Sequence, residues 1–161
     1  MKGFVKKLFL VGLIIFLGGS IFAVEVVITG SIAAANSLSI DNLTNNFTIV
    51  DNGSQQTVNI VDLIQRSNDP TGFTITITSA NSSKLVSATT TDTLDYTLQY
   101  ISTELGTKTP DLTSGTADIV FTSSTTGNDS VEVNIIYNAD VGTVQAANDY
   151  TDTLNFTISA P

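Results

Sequence analysis

The stretch Gly72–Thr78 reads GFTITIT, with Phe73, Ile75 and Ile77 on one parity and Thr74, Thr76 and Thr78 on the other. Successive side chains of a strand point to opposite faces, so this spacing predicts a strand with one apolar and one polar face. The same period recurs down the chain. NFTIV places Phe47 and Ile49 together, and LDYTLQYI places Leu94, Tyr96, Leu98 and Tyr100. ADIVFT gives Ala117, Ile119 and Phe121; SVEVNIIY gives Val131, Val133 and Ile135; YTDTLNFTI gives Leu154, Phe156 and Ile158. TVNIVDLI gives Val58 and Ile60, then Leu63 after an irregularity, and VDLIQRS has room for one helical turn. No segment sustains a 3.6-residue period. Short alternating runs rich in Thr, Val and Ile are the pattern of antiparallel strands that each bury one face.

The gaps between runs hold turn formers. Asp51–Ser54 offers Asn-Gly, which tolerates positive φ. Ser67–Gly72 places Pro70 after Asp69 and a glycine before the next strand, and Thr125–Asp129 is another turn. The Ser/Thr-rich Ser87–Thr93 reads as a loop or edge strand, and no interdomain linker or internal repeat is visible. Eight or nine strands separated by such turns predict an all-β chain, an immunoglobulin-like antiparallel β-sandwich, with a closed β-barrel as the alternative.

Residues 1–23 form a separate unit. Lys2, Lys6 and Lys7 precede an apolar run from Leu8 to Phe22, and small residues lead to Ala23. This is the layout of a secretory signal peptide cut after Ala23. The run, about 15 residues, is shorter than the roughly 20 needed to span a bilayer. No Cys follows it, which excludes a lipoprotein anchor. The expected mature chain is a single domain over 24–161, exported to the periplasm, the cell surface or the medium, with no membrane span.

The expected mature chain keeps only Arg66, Lys84 and Lys108 as basic residues, against all 15 acidic ones. Such a surface repels phosphate backbones and anionic lipid, so nucleic acid is not an expected partner. The chain has no His, Cys or Trp. Ser–His–Asp and Cys–His catalysis are therefore impossible within it, and disulfides cannot staple it. Asp92 with Asp95, and Asp149 with Asp152, are carboxylate pairs close in sequence, but they flank strand starts, where acids cap turns. Loop acids and amides (Asp51, Asn52, Asn68, Asp69, Asn128, Asp129, Asn148, Asp149) are oxygen donors of the kind calcium uses, without the spaced pattern of an EF-hand. Tyr96 and Tyr100 share a strand face, as a sugar-stacking pair would, but they share it with Leu94 and Leu98, which points to core. Sequons at Asn42, Asn46, Asn52, Asn81, Asn128 and Asn155 arise by chance in so Asn- and Thr-rich a chain. No catalytic residue, metal ligand or cofactor site is expected, and the chain is read as a non-enzyme.

VEVVITGSI, residues 24–32, opens the expected mature chain. Val24, Val26, Ile28, Gly30 and Ile32 share one parity, and Glu25 is the sole charge on the other. Residues 24–35 either complete the chain's own sandwich as an edge strand or fill a neighbour by strand addition. Gly30 marks a bend or a close approach in either case.

With ITGSI, GFTITITSANSSKL (Gly72–Leu85) and NDYTDTLNFTI (Asn148–Ile158), the chain resembles secreted bacterial pilin-like domains, the spore coat protein U-type and other fimbrial subunits. The resemblance implies a surface or filament subunit with an immunoglobulin-like fold. It also implies that Val24, Val26, Ile28, Gly30 and Ile32 insert into the next subunit. The lack of Cys departs from the many such subunits that carry a disulfide. The expectation is a non-enzymatic structural surface protein that associates with itself or with another envelope or fimbrial protein. The alternative is a monomeric extracellular binding module, an adhesin for a glycan or surface partner.

Overall fold

The structure, a computed structural model, describes residue 29 and residues 31–44, 46–125, 127–139 and 149–161. The proposed signal segment and four of the five strand-exchange positions, Val24, Val26, Ile28 and Gly30, lie outside the described residues. The fifth, Ile32, is outside any strand and 90% exposed. Every described strand belongs to one compact unit, Ala33–Pro161.

Among the described residues there are ten strands and no helix. One sheet runs in the order β1 (Asn36–Leu43), β2 (Gln55–Ser67), β8 (Asp129–Asn138), β5 (Thr93–Ser102), β4 (Lys84–Ser87) and β9 (Tyr150–Thr151), with β6 (Gly106–Lys108) also on β5. The other has three strands, β10 (Leu154–Ser159), β3 (Phe73–Ser79) and β7 (Thr116–Phe121). All pairings are antiparallel. This is the expected two-sheet sandwich. The barrel alternative fails, because the larger sheet ends at β1 and β9 and these two do not pair among the described residues.

The core forms where the alternating rows meet. Leu98 opposes Ile135 and Tyr100 opposes Val133 across β5 and β8. Phe73, Ile75 and Ile77 of β3 are wholly buried beneath them. The Tyr100 and Phe121 rings, one from each sheet, have centroids 6.4 Å apart. In β2 the irregularity is a bulge between Asn59 and Val61. It sets Val58 opposite Ile135 and Val61 opposite Val133, so the inward series is Val58, Val61, Leu63 rather than Val58, Ile60, Leu63. One extra residue on the bulged strand restores the face that strict alternation would lose.

Three expectations about elements are corrected. VDLIQRS is not a helical turn: it continues β2 through Ser67, held between β1 and β8. Residues 46–50 are not a strand among the described residues, although Phe47 and Ile49 pack on the core. Their apolar parity reflects burial without a ladder. Conversely β1, NSLSIDNL, is a strand that its polar sequence hid. As an edge strand it buries little, so the apolar signal is weak. Ser87–Thr93 carries the expected loop.

Candidate functional site

The two sheets are unequal, and the inequality leaves one side of the sandwich thinly covered. β1 is the edge of the larger sheet and β10 an edge of the smaller, and the two lie against each other. Residues directly opposite in a ladder share a face. Leu63 and Val61 of β2 are 2% and 4% exposed, whereas their partners Ile40 and Leu43 of β1 are 63% and 56% exposed. The same step occurs in the other sheet. Ile75 and Ile77 are wholly buried, but their β10 partners Ile158 and Phe156 are only half-buried, as is Leu154. An apolar margin thus runs between β1 and β10.

β10 itself reads LNFTIS, with no charge, no proline and no bulge against β3. Natural edge strands usually carry one of these three devices against pairing. Among the described residues the side of β10 away from β3 has no strand partner.

The turn into β10, which then pairs along β3, is anchored by one carboxylate. Asp152, between β9 and β10, accepts the Tyr96 hydroxyl and the Ser79 hydroxyl on Oδ2, both at 2.6 Å. Its Oδ1 accepts the N–H groups of Asn81 and Thr153 at 3.0 and 2.7 Å. Burial, and then the bond to Asp152, push the Tyr96 phenol well above its ordinary range, so the hydroxyl stays a donor. This gives Tyr150-Thr-Asp-Thr153 a physical role: its acid anchors the turn that delivers β10 to the edge.

A second carboxylate sits deeper. Asp129 is wholly buried at the start of β8, with no ion pair to it among the described residues. Its Oδ2 accepts the Gln65 amide N–H and the Ser102 hydroxyl, both at 2.5 Å. Its Oδ1 accepts the Thr103 hydroxyl at 2.6 Å and the Glu104 N–H at 3.1 Å. Burial pushes this carboxyl up, but the hydrogen bonds from Ser102, Thr103, Gln65 and Glu104 outweigh it and hold it below the ordinary range. The Tyr100 hydroxyl closes the network by donating to Gln65 Oε1 at 2.7 Å.

A cleft of about 530 Å³ lies on another part of the surface. Gln55, Lys84, Asp95, Thr97, Ile136 and Asn138 are among its lining residues, and Lys84 and Asp95 are joined at 2.6 Å. Its rim includes Ser82 and Ser83, two consecutive residues at φ 56° and 62°. Such angles are rare outside glycine and are kept only where the surroundings enforce them.

The residues singled out in the sequence distribute as follows. Asp95 pairs with Lys84, and Asp152 holds the turn into β10. Among the loop acids, Asp69 accepts from Thr71 and Asp129 belongs to the buried network. No group of three or more His, Cys, Asp or Glu side chains gathers among the described residues. Tyr96 and Tyr100 are buried, 6% and 0% exposed, as their shared parity with leucines implied. Gln65 and Ser102 went unremarked in the sequence, because a polar residue on an inward parity looks like a simple break in the pattern. No described helix is long and apolar enough to cross a membrane. Neither a scan against protein-family models nor a search of curated proteins returns a match to this chain.

Proposed function

We propose that the chain is an exported, non-enzymatic structural subunit of the pilin-like kind that assembles by strand addition. Residues 24–32 of one copy lie along β10 of the next. The observation that carries this reading is the β10 edge: six uncharged residues, half-buried apolar side chains and no strand partner on one side among the described residues. Backbone hydrogen bonds to such an edge supply affinity, and alternate side chains fill the margin below it. Val24, Val26, Ile28 and Ile32 have the parity to do so, with Gly30 at the point of closest approach. The partner is another copy or another envelope protein with the same edge.

The test is a chain beginning at Asn36 mixed with a peptide of residues 24–35. Saturable binding that disappears with Ile28→Lys in the peptide, and with Ile158→Lys in the chain, is the expected result. A folded chain from Asn36 that ignores the peptide overturns it.

The second reading, a monomeric binding module, draws on the cleft at Lys84 and Asp95. Its lining mixes polar groups with the apolar surface of Tyr96, Ile136 and Tyr137, a combination that suits the hydroxyls and ring faces of a sugar. A compact monomer for residues 24–161 that binds a glycan, and loses binding in Lys84→Ala, would favour it.

A further inference from the structure

The Asp129 network contains more chemistry than a structural knot requires. Gln65 presents a carboxamide, Ser102 a hydroxyl, and both donate to the same carboxylate oxygen at 2.5 Å, so their nitrogen and oxygen are no more than twice that distance apart. The Tyr100 hydroxyl is already bonded to the amide oxygen. Three strands supply the groups, β2, β8 and β5, and Gln65 and Asp129 are directly opposed in the ladder. Gln65, Asp129 and Tyr100 are 0% exposed and Ser102 is 3% exposed, so bulk water does not compete for the amide.

We propose that this cluster is an acyl-transfer site acting on the chain itself, joining Ser102 to Gln65 through an ester. Ser102 Oγ attacks Gln65 Cδ while its proton passes to Asp129 Oδ2, the general base. The developing oxyanion on Gln65 Oε1 is stabilised by the Tyr100 hydroxyl already bonded to it. The tetrahedral intermediate collapses with cleavage of the Cδ–Nε2 bond. Asp129 Oδ2, which faces that nitrogen, returns the proton, and ammonia leaves. One C–O bond forms and one C–N bond breaks. No oxidant, metal or second substrate is consumed.

The geometry supports each role. A serine is a weak nucleophile unless a base is held against it, and here the base is fixed by four donors. Asp129 is held ionised, so Oδ2 carries no proton of its own before Ser102 delivers one. The Leu105 N–H donates to Ser102 Oγ at 2.8 Å and orients its remaining lone pair. Folding brings the reactants together from positions 37 residues apart in sequence, which supplies the proximity term of an intramolecular reaction. The product would tie β2 to β5 across β8 in a chain that has no cysteine for a disulfide.

Mass spectrometry of the full purified chain, denatured and then digested with trypsin, tests this. The expected result is an intact mass lower by one ammonia. The peptide ending at Arg66 and the peptide 85–108 then appear as one linked species that hydroxylamine separates. Ser102→Ala restores both free peptides, and Ser37→Ala, which removes an exposed hydroxyl of β1 outside the cluster, leaves the link in place. An unshifted mass with two free peptides overturns the proposal. So does an ammonia loss confined to Asn52-Gly53, where succinimide formation would give the same shift without a link. Folding of the Ser102→Ala chain is checked by circular dichroism. If it is unfolded, Ser102→Thr, which keeps a hydroxyl, must still give the linked species for the proposal to stand.

Discussion

At the scale of the residue, two glycines separate the cost of a backbone angle from the cost of space. Gly72 sits at φ 99° just before β3, and a Cβ there would lie 1.9 Å from the Phe121 carbonyl oxygen. Gly53 has φ 72° with nothing within 4 Å of such an atom. Gly53→Ala should therefore cost only the left-handed penalty, about 1 kcal/mol. Gly72→Ala adds a backbone collision between β3 and β7 and should cost about 3 kcal/mol or more. Urea unfolding of the two variants checks the order. Asp129 sets the acid limit. Its carboxyl is held low in the folded chain, so the unfolded chain takes up the proton first. Its contribution is complete above the unfolded carboxylate range and is lost as pH falls through the lower, folded value. Urea midpoints from pH 7 down to pH 3 should fall, and the fall should be shallower in Asp129→Asn. The tyrosines act at the other end. Burial, with Asp152 beside one and Asp129 beside the other, raises Tyr96 and Tyr100. Their stabilisation is full below the unfolded value of about 10 and is lost as pH rises beyond it. Phenolate absorbance should appear together with unfolding for these two residues.

At the scale of the element, β10 and β3 are neighbours with different burial, and the difference should be measurable. Ile77→Ala empties a wholly buried site and should cost about 3 kcal/mol, whereas Phe156→Ala, opposite it on the half-buried edge, should cost about half of that despite the larger ring. Asp152→Ala leaves two hydroxyls and two N–H groups without their acceptor and should cost about 2 kcal/mol, with hydrogen exchange accelerating first in β10. The legibility of the elements follows the same distinction. Strands that bury a full face, β3, β5, β7 and β8, announced themselves by period two. β1 and the short β4 and β6 did not, since a strand that buries two side chains or fewer carries no periodic signal. The bulge in β2 showed as a break in parity, but its position needed the pairing with β8.

At the scale of the whole molecule, the sequence announced an acidic, cysteine-free sandwich, but not that one sheet would have seven strands and the other three. Strand number per sheet depends on which neighbours pair, and pairing is a long-range choice that local pattern does not encode. The candidate margin between β1 and β10 follows from that count, as does the buried Gln65–Asp129–Ser102 cluster, drawn from three strands far apart in the chain. Asn68 clamps the chain at the start of β1, accepting the Ala35 N–H at 2.6 Å and donating to the Ala33 carbonyl at 3.1 Å.

That clamp has a mechanical meaning. Asn36 pairs with Ser67 at the end of β2, and Ser159 pairs with Thr74 at the start of β3, with only a short turn between β2 and β3. β1 therefore begins, and β10 ends, at the same end of the sandwich. Tension between Ala33 and Ser159 opens both edge ladders like zippers, one hydrogen bond at a time, because ladder bonds lie across the strands. Tension through a strand laid along β10 would instead load its ladder in shear, all bonds together. The donated strand would then hold under a load that peels the domain's own edge strands away.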